Sequence, residues 1–453
     1  MARDEAFELR LERTNKAATL LSDLIEEIKK GKFNVLFIGA GNINFGSDEG
    51  PWNHSARLEH RLQTRLRVVG IVDPATSRAE AVIEHKLNSF VATAYNECRL
   101  CKTLDEFYQG MKPEHRPHVV IIGSPAAFHG SDLAGADLEI QILKLFPNAA
   151  LFIEKPITTA PVQNAINLAQ YLEQKGTVAS VGYMLRYLKV IQHMKDIIES
   201  TGKPVMMTVA KYTCSYAKIK SEVWWNKSKS CGPVVEQGTH LVDLCRYFGG
   251  AVMMDTVQAT STEHFEEAGY LEAMPVDESK IPSEFRNPRT TAAVWKYTNG
   301  GIASFTHALT LQGTKYETTL EVYLDGWLLK AVDLYNEPTL FVRSPDSDSE
   351  QKYTYSDDDP YYSEMSAFID AAELGSKSML PNESAIADDE DEDENEKNAI
   401  GTVQYHTGIL SSFRDACGTY GLTWAIKEAS ERAKKSAPVS EAVEALHQAS
   451  ISK

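Results

Sequence analysis

Short apolar segments alternate with amphipathic helical patterns over the first 185 residues, and this alternation restricts the fold more than any other feature. The apolar segments are residues 34–38, 66–73, 118–123, 150–154 and 177–182. Helical patterns separate them at 76–90, 103–111, 132–146 and 160–174. Unbroken apolar runs are typical of strands that a parallel sheet buries on both faces. The alternation therefore predicts right-handed βαβ units and a doubly wound parallel sheet over residues 31–185.

The pattern changes after residue 185, where the apolar segments become longer and alternate with polar residues. These segments are residues 204–214, 253–262, 289–298, 302–311, 317–324 and 327–333. Asn299-Gly300 and Asp325-Gly326 join two pairs of them, and such dipeptides predict hairpins with type I′ turns. Helices are expected at 187–200, 238–248, 360–374 and 402–435, and no strand is assigned to the polar residues 346–359. Residues 186–435 are therefore predicted to form an α+β domain with a large, mostly antiparallel sheet.

Three further segments lie outside these two predicted domains or interrupt them. Residues 1–30 carry apolar residues at helical spacing and predict an N-terminal helical extension. An acidic loop is expected at 385–398, because the tract DDEDEDENE at 388–396 has no apolar side chain to bury. Residues 436–453 are assigned as a tail.

Charge and composition exclude several classes of protein. The 453 residues have a formal net charge of −17, so the chain lacks the basic surface that nucleic-acid binding requires. No apolar run approaches the ~20 residues of a membrane helix, and the charged N-terminus does not resemble a secretory signal. Six scattered cysteines are then expected to be reduced thiols in a cytoplasmic protein. One C-x-x-C pair, at 98–101, lacks the second pair of a zinc ribbon, so no metal site is predicted.

A glycine-rich turn follows the first apolar segment and is a candidate phosphate-binding loop. Gly39 permits a tight turn, and Gly41 lets the backbone approach a pyrophosphate, with Asn42 and Ile43 beginning the next helix. The third position of the dinucleotide fingerprint is Asn44 instead of glycine or alanine, and two glycines at a strand end are by themselves common.

The end of the second apolar segment supports the same interpretation. Asp73 stands where an acidic residue accepts the ribose 2′-hydroxyl of NAD. Arg78, five residues later, could instead pair with the 2′-phosphate of NADP. The residues favour NAD slightly.

Two further segments carry candidate catalytic groups. Glu154-Lys155-Pro156 ends the fourth apolar segment, at the strand edge where open parallel sheets bind their ligands. Glu236, His240 and Asp243 follow at i, i+4 and i+7, which places a carboxylate beside an imidazole on one helix face. Each segment has a structural alternative: a surface lysine before a proline in the first, and a helix cap with a core histidine in the second.

Taken together, these segments resemble the Gfo/Idh/MocA oxidoreductase family. The order of the motifs carries the resemblance, which extends from about residue 33 to 435. The motifs are the G-x-G turn, GSPAAFH at 123–129, EKP at 154–156, VGYMLRY at 181–187 and EQGTHLVD at 236–243. Two departures are a glutamate at 236, where the family has aspartate, and a long insertion at 45–64.

The resemblance implies a Rossmann domain that binds NAD or NADP and a second domain that binds a sugar, polyol or related small molecule. By position, His240 would be the general base, Lys155 would hydrogen-bond the reacting hydroxyl, and Glu236 would orient both. Further cofactor contacts would come from Ser124, Pro125, His129 and Glu154. Further substrate contacts would come from Arg186, Trp225, Asn226 and Asp243, with Trp224 in the same loop. Two alternatives stay open: a cofactor-sensing regulatory protein of the same fold, and an enzyme that cleaves glycosides with the help of NAD.

The antiparallel sheet also predicts a homo-oligomer, most simply a dimer. One face of the sheet covers its own domain. Depending on register, the other face presents large side chains from a set comprising Val294, Tyr297, Phe305, Leu309, Tyr323 and Trp327. Monomers rarely expose large contiguous apolar patches, and the family resemblance implies association through this sheet.

Overall fold

The computed structural model describes residues 31–47, 50–375 and 408–435. Fourteen strands lie within these residues: β1 (Phe33–Ile38), β2 (Leu66–Val72), β3 (Arg99–Cys101), β4 (Val119–Ile122), β5 (Ala150–Ile153), β6 (Ala179–Val181), β7 (Met207–Ser215), β8 (Val252–Thr262), β9 (Thr290–Tyr297), β10 (Ile302–Leu311), β11 (Glu317–Leu324), β12 (Trp327–Val332), β13 (Thr339–Ser344) and β14 (Ser347–Thr354). The predicted N-terminal extension, the acidic loop and the C-terminal tail lie outside the described residues.

The α-helices of the described residues are α1 (Asn42–Phe45), α2 (His54–Leu62), α3 (Thr76–Leu87), α4 (Ala92–Tyr95), α5 (Leu104–Gln109), α6 (Leu138–Leu145), α7 (Val162–Gln174), α8 (Lys189–Thr201), α9 (Glu222–Trp225), α10 (Lys227–Ser230), α11 (Thr239–Gly249), α12 (Pro360–Leu374) and α13 (Phe413–Lys435). A π-helical turn, Val234–Gly238, precedes α11 directly. None of the helices in the described part of the chain combines the length and the apolar character that crossing a membrane requires.

The first sheet has six parallel strands in the order β3-β2-β1-β4-β5-β6. This is the doubly wound arrangement that the alternating segments predicted, with its topological switch point between β1 and β4. The edge strand β3 was not predicted. It has only three residues and two of its side chains are partly exposed, so its sequence shows neither an apolar run nor a period.

The second sheet has eight strands in the order β14-β13-β12-β11-β7-β10-β9-β8. Only β7 and β10 pair in parallel, so the prediction of a mostly antiparallel sheet is confirmed. The strands β13 and β14 were not predicted. At the sheet edge, β14 exposes nearly all of its polar side chains, which is how natural sheets protect an edge from further pairing.

Both hairpins are present, but the predicted turn type is wrong. Gly300 and Gly326 have φ of +91° and +79°, whereas the residue before each of them does not have a positive φ. A type I′ turn requires positive φ at both central residues. In the first hairpin, the Asn299 side chain accepts a hydrogen bond from the Gly301 amide at 2.9 Å. Asparagine side chains readily form such turns, and here this turn replaces the predicted type I′ turn.

The register of the second sheet corrects the set of outward-facing residues. Tyr297, Phe305 and Leu309 are fully buried in the core of the second domain, so they cannot form an exposed face. Val294, which belongs to the predicted set, does point outward and is 44% exposed, and so does Ile302, which the prediction did not include and which is 54% exposed.

Helix α13 joins the two domains through buried contacts. Its residues Phe413, Cys417 and Tyr420 are buried in the same cluster as the first sheet's core, and so are Cys231 and Val235. The segment that leads into α11 therefore lies against the first sheet. This packing brings the two candidate catalytic segments to one crevice.

Candidate functional site

The glycine-rich turn after β1 has the conformation that the fingerprint predicts. Gly39 has φ of +91°, and a Cβ atom there would lie 3.0 Å from the carbonyl oxygen of Gly123. Only glycine tolerates both conditions. Gly41 is the N-cap residue of α1, and Asn42 and Ile43 form its first turn. The turn therefore brings the peptide backbone at Gly39 and Gly41, where no side chain intervenes, close to the crevice at the carboxyl ends of β1 and β4.

Asn44 replaces the third glycine of the fingerprint and has a structural role. Its side chain is completely buried and donates hydrogen bonds to the carbonyl oxygens of Ile38 and Gly39, at 3.2 and 2.7 Å. It also fills the space above Gly123, where a Cβ atom would lie 2.6 Å from the Asn44 amide. Asn44, although it departs from the fingerprint, thus stabilises the conformation of the turn.

Asp73 and Arg78 both lie beside this turn. The Asp73 carboxylate accepts hydrogen bonds from the amides of Ala40 and Ala75, at 2.6 and 2.7 Å. The Arg78 guanidinium donates a hydrogen bond to the side chain of Asn42. An acceptor for a ribose hydroxyl and a cation for a 2′-phosphate are therefore within reach of the same loop.

The loop after β4 completes the crevice, and the residues present fit a dinucleotide. Ser124 Oγ is buried and has no hydrogen-bond partner among the described residues. Pro125 caps a single exposed turn. An unpaired hydroxyl beside a glycine cradle suits a polar ligand group.

His129, at the end of the same loop, is buried. Its Nδ1 lies 3.5 Å from Oε1 of the equally buried Glu139. The imidazole therefore supports the loop from within, and its surface is not available for direct contact with a ligand.

Glu154 and Lys155 diverge at the end of β5. Glu154 is 8% exposed, and its Oε1 lies 2.6 Å from Nε2 of His54, which is itself buried. Lys155 Nζ points to the other domain and donates hydrogen bonds to the carbonyl oxygen and to Oε1 of Glu236, at 3.0 and 3.3 Å. The two predicted catalytic segments therefore meet. His54 belongs to the insertion at 45–64, and no motif in the sequence pointed to it.

The π-helical turn presents Glu236 and leads into His240. Before it, Cys231 and Gly232 have φ of +64° and +93°, and Pro233 starts the turn. Such turns widen a helix locally and are frequent at functional sites. His240 is the second residue of α11 and is 7% exposed. Burial and the positive charge of Lys155 lower the pKa of His240 well below its usual value. The imidazole is therefore neutral at pH 7 and can accept a proton.

Aromatic side chains form a wall next to Glu236 and His240, and sequence reasoning missed it. The rings of Tyr212, Tyr316 and Tyr335 lie within about 6 Å of one another, at 5.7, 5.8 and 6.2 Å between centroids. His307 stacks on Tyr212 at 5.3 Å and hydrogen-bonds to Gln237 at 2.9 Å. Burial lowers the pKa of His307 to about 4, although Glu236 opposes this shift. These residues come from different strands and loops, so no local motif marks them.

The loop at 221–230 contributes one tryptophan to the site and buries the other. Trp224 is partly exposed, and its indole N–H donates to Glu236 Oε2 at 2.6 Å. Trp225 is 0% exposed and donates to the carbonyl oxygen of Ile219 at 2.7 Å. The predicted substrate contact of Trp225 is therefore not supported, because its indole is core. Asn226 caps α10 by accepting from the Ser228 amide at 3.0 Å.

Arg186 and Asp243 are brought together, but away from solvent. The Arg186 guanidinium donates two hydrogen bonds to the Asp243 carboxylate, at 2.7 and 2.6 Å, and a third to Asp415 at 2.5 Å. Arg186 and Asp243 are 3% and 1% exposed. Their predicted contact with substrate is not supported, since both side chains are used in an ion-pair network that holds α13 against α11.

Comparisons with known proteins agree with this architecture. Residues 33–183 match the family described as "Oxidoreductase family, NAD-binding Rossmann fold", and residues 186–327 match "Putative oxidoreductase C terminal domain". A Schizosaccharomyces pombe protein named "Uncharacterized protein UNK4.17" is 46% identical over 430 residues, covering 94% of this chain and 98% of that protein.

Solved structures with a similar fold include two enzymes of low sequence identity. UDP-N-acetylglucosamine 3-dehydrogenase GnnA from Acidithiobacillus ferrooxidans is 14% identical with a TM-score of 0.59, covering 88% of this chain and 98% of its own. KijD10, a 3-ketoreductase from Actinomadura kijaniata in complex with NADP and TDP-benzene, is 13% identical with the same TM-score and the same coverage.

Proposed function

The chain belongs to the Gfo/Idh/MocA family of NAD(P)-binding oxidoreductases, and from this premise we propose that it transfers a hydride between nicotinamide and a hydroxyl or carbonyl carbon of a sugar, polyol or related small molecule. The observation that carries the proposal is the contact of Lys155 Nζ with Glu236, at 3.0 and 3.3 Å. It joins two segments 81 residues apart in the sequence. A neutral imidazole, that of His240, lies beside them.

Each side chain has a distinct part in the proposed reaction. When bound, the nicotinamide supplies the hydride acceptor in oxidation and the donor in reduction. In the direction of oxidation, Nε2 of His240 takes the hydroxyl proton, since burial keeps the ring neutral. Lys155 donates a hydrogen bond to the oxygen that develops negative charge, where a fixed cation is most effective. Glu236 holds Lys155 at the correct place, and the aromatic wall excludes water.

The same crevice supports NAD(P) as the cofactor. The glycine turn at 39–41, the unpaired hydroxyl of Ser124 and the strand end at Glu154-Lys155 surround the carboxyl ends of β1, β4 and β5. The adenosine ribose would lie near Asp73 and Arg78. The nicotinamide would then extend towards Lys155.

The test is turnover of NADH and NADPH with a panel of keto sugars and ketoses, and of NAD and NADP with the matching alcohols. Lys155→Met and His240→Ala are each expected to lower kcat/KM by ~10²-fold or more, as the loss of an acid–base group does. Lys144→Met and His85→Ala, which change exposed residues, serve as matched controls. Near-normal turnover by either site variant would refute the assignment.

The panel also separates the two alternatives. A regulatory protein would bind the cofactor and show no turnover. An enzyme that cleaves glycosides through a retained cofactor would release the leaving group without net change in NADH absorbance.

A further inference from the structure

The Trp224 indole contacts the carboxylate of Glu236, one of the candidate catalytic residues. The glutamate at 236 stands where the related motif has an aspartate, and the extra methylene moves its carboxylate further from the backbone by over ~1 Å. In the structure this carboxylate has two protein donors on opposite oxygens. Lys155 Nζ lies 3.3 Å from Oε1, and the Trp224 indole nitrogen lies 2.6 Å from Oε2.

Trp224 itself is rigidly held. Its carbonyl oxygen accepts hydrogen bonds from Asn287 Nδ2 at 2.9 Å and from Ser230 Oγ at 3.1 Å. Its ring packs edge-on against the buried ring of Trp225, with centroids 5.1 Å apart. The indole N–H is therefore a fixed donor, and the carboxylate that it binds has little freedom to rotate.

We propose that Trp224 is a positioning residue that holds the Glu236 carboxylate, and through it the Lys155 ammonium, in the orientation needed for catalysis. The longer glutamate and the indole then form a matched pair. Glutamate reaches the indole N–H, and the indole supplies the fixed geometry that a longer, more flexible side chain would otherwise lack. This inference rests on the proposed function for its kinetic consequence, but the clamp itself can be measured without turnover.

The direct test is NMR of the protein labelled with ¹⁵N-tryptophan. The chain has six tryptophans, and Trp224→Phe identifies the indole N–H signal of Trp224 by its loss. Glu236→Asp and Glu236→Ala are expected to move this signal, because the carboxylate acceptor is withdrawn. Lys155→Met should move it as well, since the lysine holds the other oxygen. An unchanged Trp224 signal in Glu236→Ala would show that the bond is absent and would overturn the proposal.

The kinetic test uses a double-mutant cycle and a matched control. Trp224→Phe keeps the ring but removes a hydrogen bond to a charged group, and we expect a fall in kcat of about 10- to 100-fold with KM for the cofactor unchanged. In the Glu236→Ala background, Trp224→Phe should have no further effect on kcat, because both substitutions break the same hydrogen bond. Trp225→Phe also deletes an indole hydrogen bond in this loop, but one to the backbone carbonyl of Ile219, and it keeps an aromatic ring beside Trp224. This variant should have a lower melting temperature and a kcat within about 2-fold of wild type, because the hydrogen bond that it loses lies outside the site.

The outcomes separate the two proposals. Full additivity of Trp224→Phe with Glu236→Ala, or an equal kcat loss in Trp225→Phe, would overturn the positioning role while leaving the proposed function intact. A wild-type protein with no turnover would overturn the proposed function, and the indole signal in Lys155→Met would then still decide whether Trp224 and Lys155 are coupled through Glu236.

Discussion

Acid conditions should destabilise the fold through His307, and the size of the effect follows from its surroundings. The side chain is 2% exposed, stacks on Tyr212 and has one hydrogen bond, to Gln237. Its pKa is lowered to about 4 by burial, whereas an unfolded histidine titrates near 6.5. Between these two values the unfolded chain binds a proton that the folded chain does not. Stability is therefore fully present above pH 6.5 and decreases as the pH falls towards 4.

The pKa difference corresponds to about 3 kcal/mol between the two limits, and most of it has been lost at pH 4.5. His307→Gln removes this titration but keeps a polar side chain. Its destabilisation relative to wild type, measured by urea unfolding, should therefore be smaller at pH 4.5 than at pH 7.5 by about 2 to 3 kcal/mol. Leu309→Val, at a buried position of the same strand, should show no such change. A His307→Gln penalty that is equal at both pH values would refute the reasoning.

Three further predictions concern residues whose roles the sequence left open. Arg186→Met should cost about 3 to 5 kcal/mol of stability, because the buried Asp243 carboxylate loses its ion-pair partner. A changed substrate KM with an unchanged melting temperature would contradict this structural role. The outward residues Val294 and Ile302 should lie in a dimer interface. Light scattering should then give the wild type a mass near 100 kDa and Val294→Glu half of it, whereas a wild-type mass near 50 kDa would contradict the dimer. Asp73 should favour NAD over NADP in a binding titration, and far tighter binding of NADP that is lost in Arg78→Ala would reverse the assignment.

The sequence predicts most strands of the two sheets, because those strands are long or strongly apolar. The edge strands β3 and β14 are respectively too short and too polar to show a pattern. The face of β9 and β10 could not be assigned for a different reason. Phe305 and Ile302 are both large and apolar, so alternation does not say which side is inward until Phe305 is seen to meet the helices.

The candidate site shows a similar division between local and long-range information. Glu236 and His240 are separated by one helical turn, so their proximity follows from spacing alone. The roles of the neighbouring Trp224 and Trp225 differ completely: the partly exposed Trp224 donates to Glu236, whereas the buried Trp225 donates to the carbonyl oxygen of Ile219. The two tryptophans are adjacent in one segment and no local pattern sets them apart, so the sequence cannot show which of them is buried.

The departures from the family motifs share one physical explanation, since each introduces a side chain that makes a buried or partly buried hydrogen bond near the crevice. Asn44 binds the backbone of the glycine turn, and its volume fills the space above the neighbouring strand end. The insertion at 45–64 supplies His54, whose imidazole lies 2.6 Å from Glu154 directly before the lysine. Glu236 extends to the indole of Trp224. An unmatched polar group at such a place would cost about 1 to 3 kcal/mol. Substitution of either residue in one of these pairs is therefore expected to leave the other without its hydrogen-bond partner and to disturb the crevice.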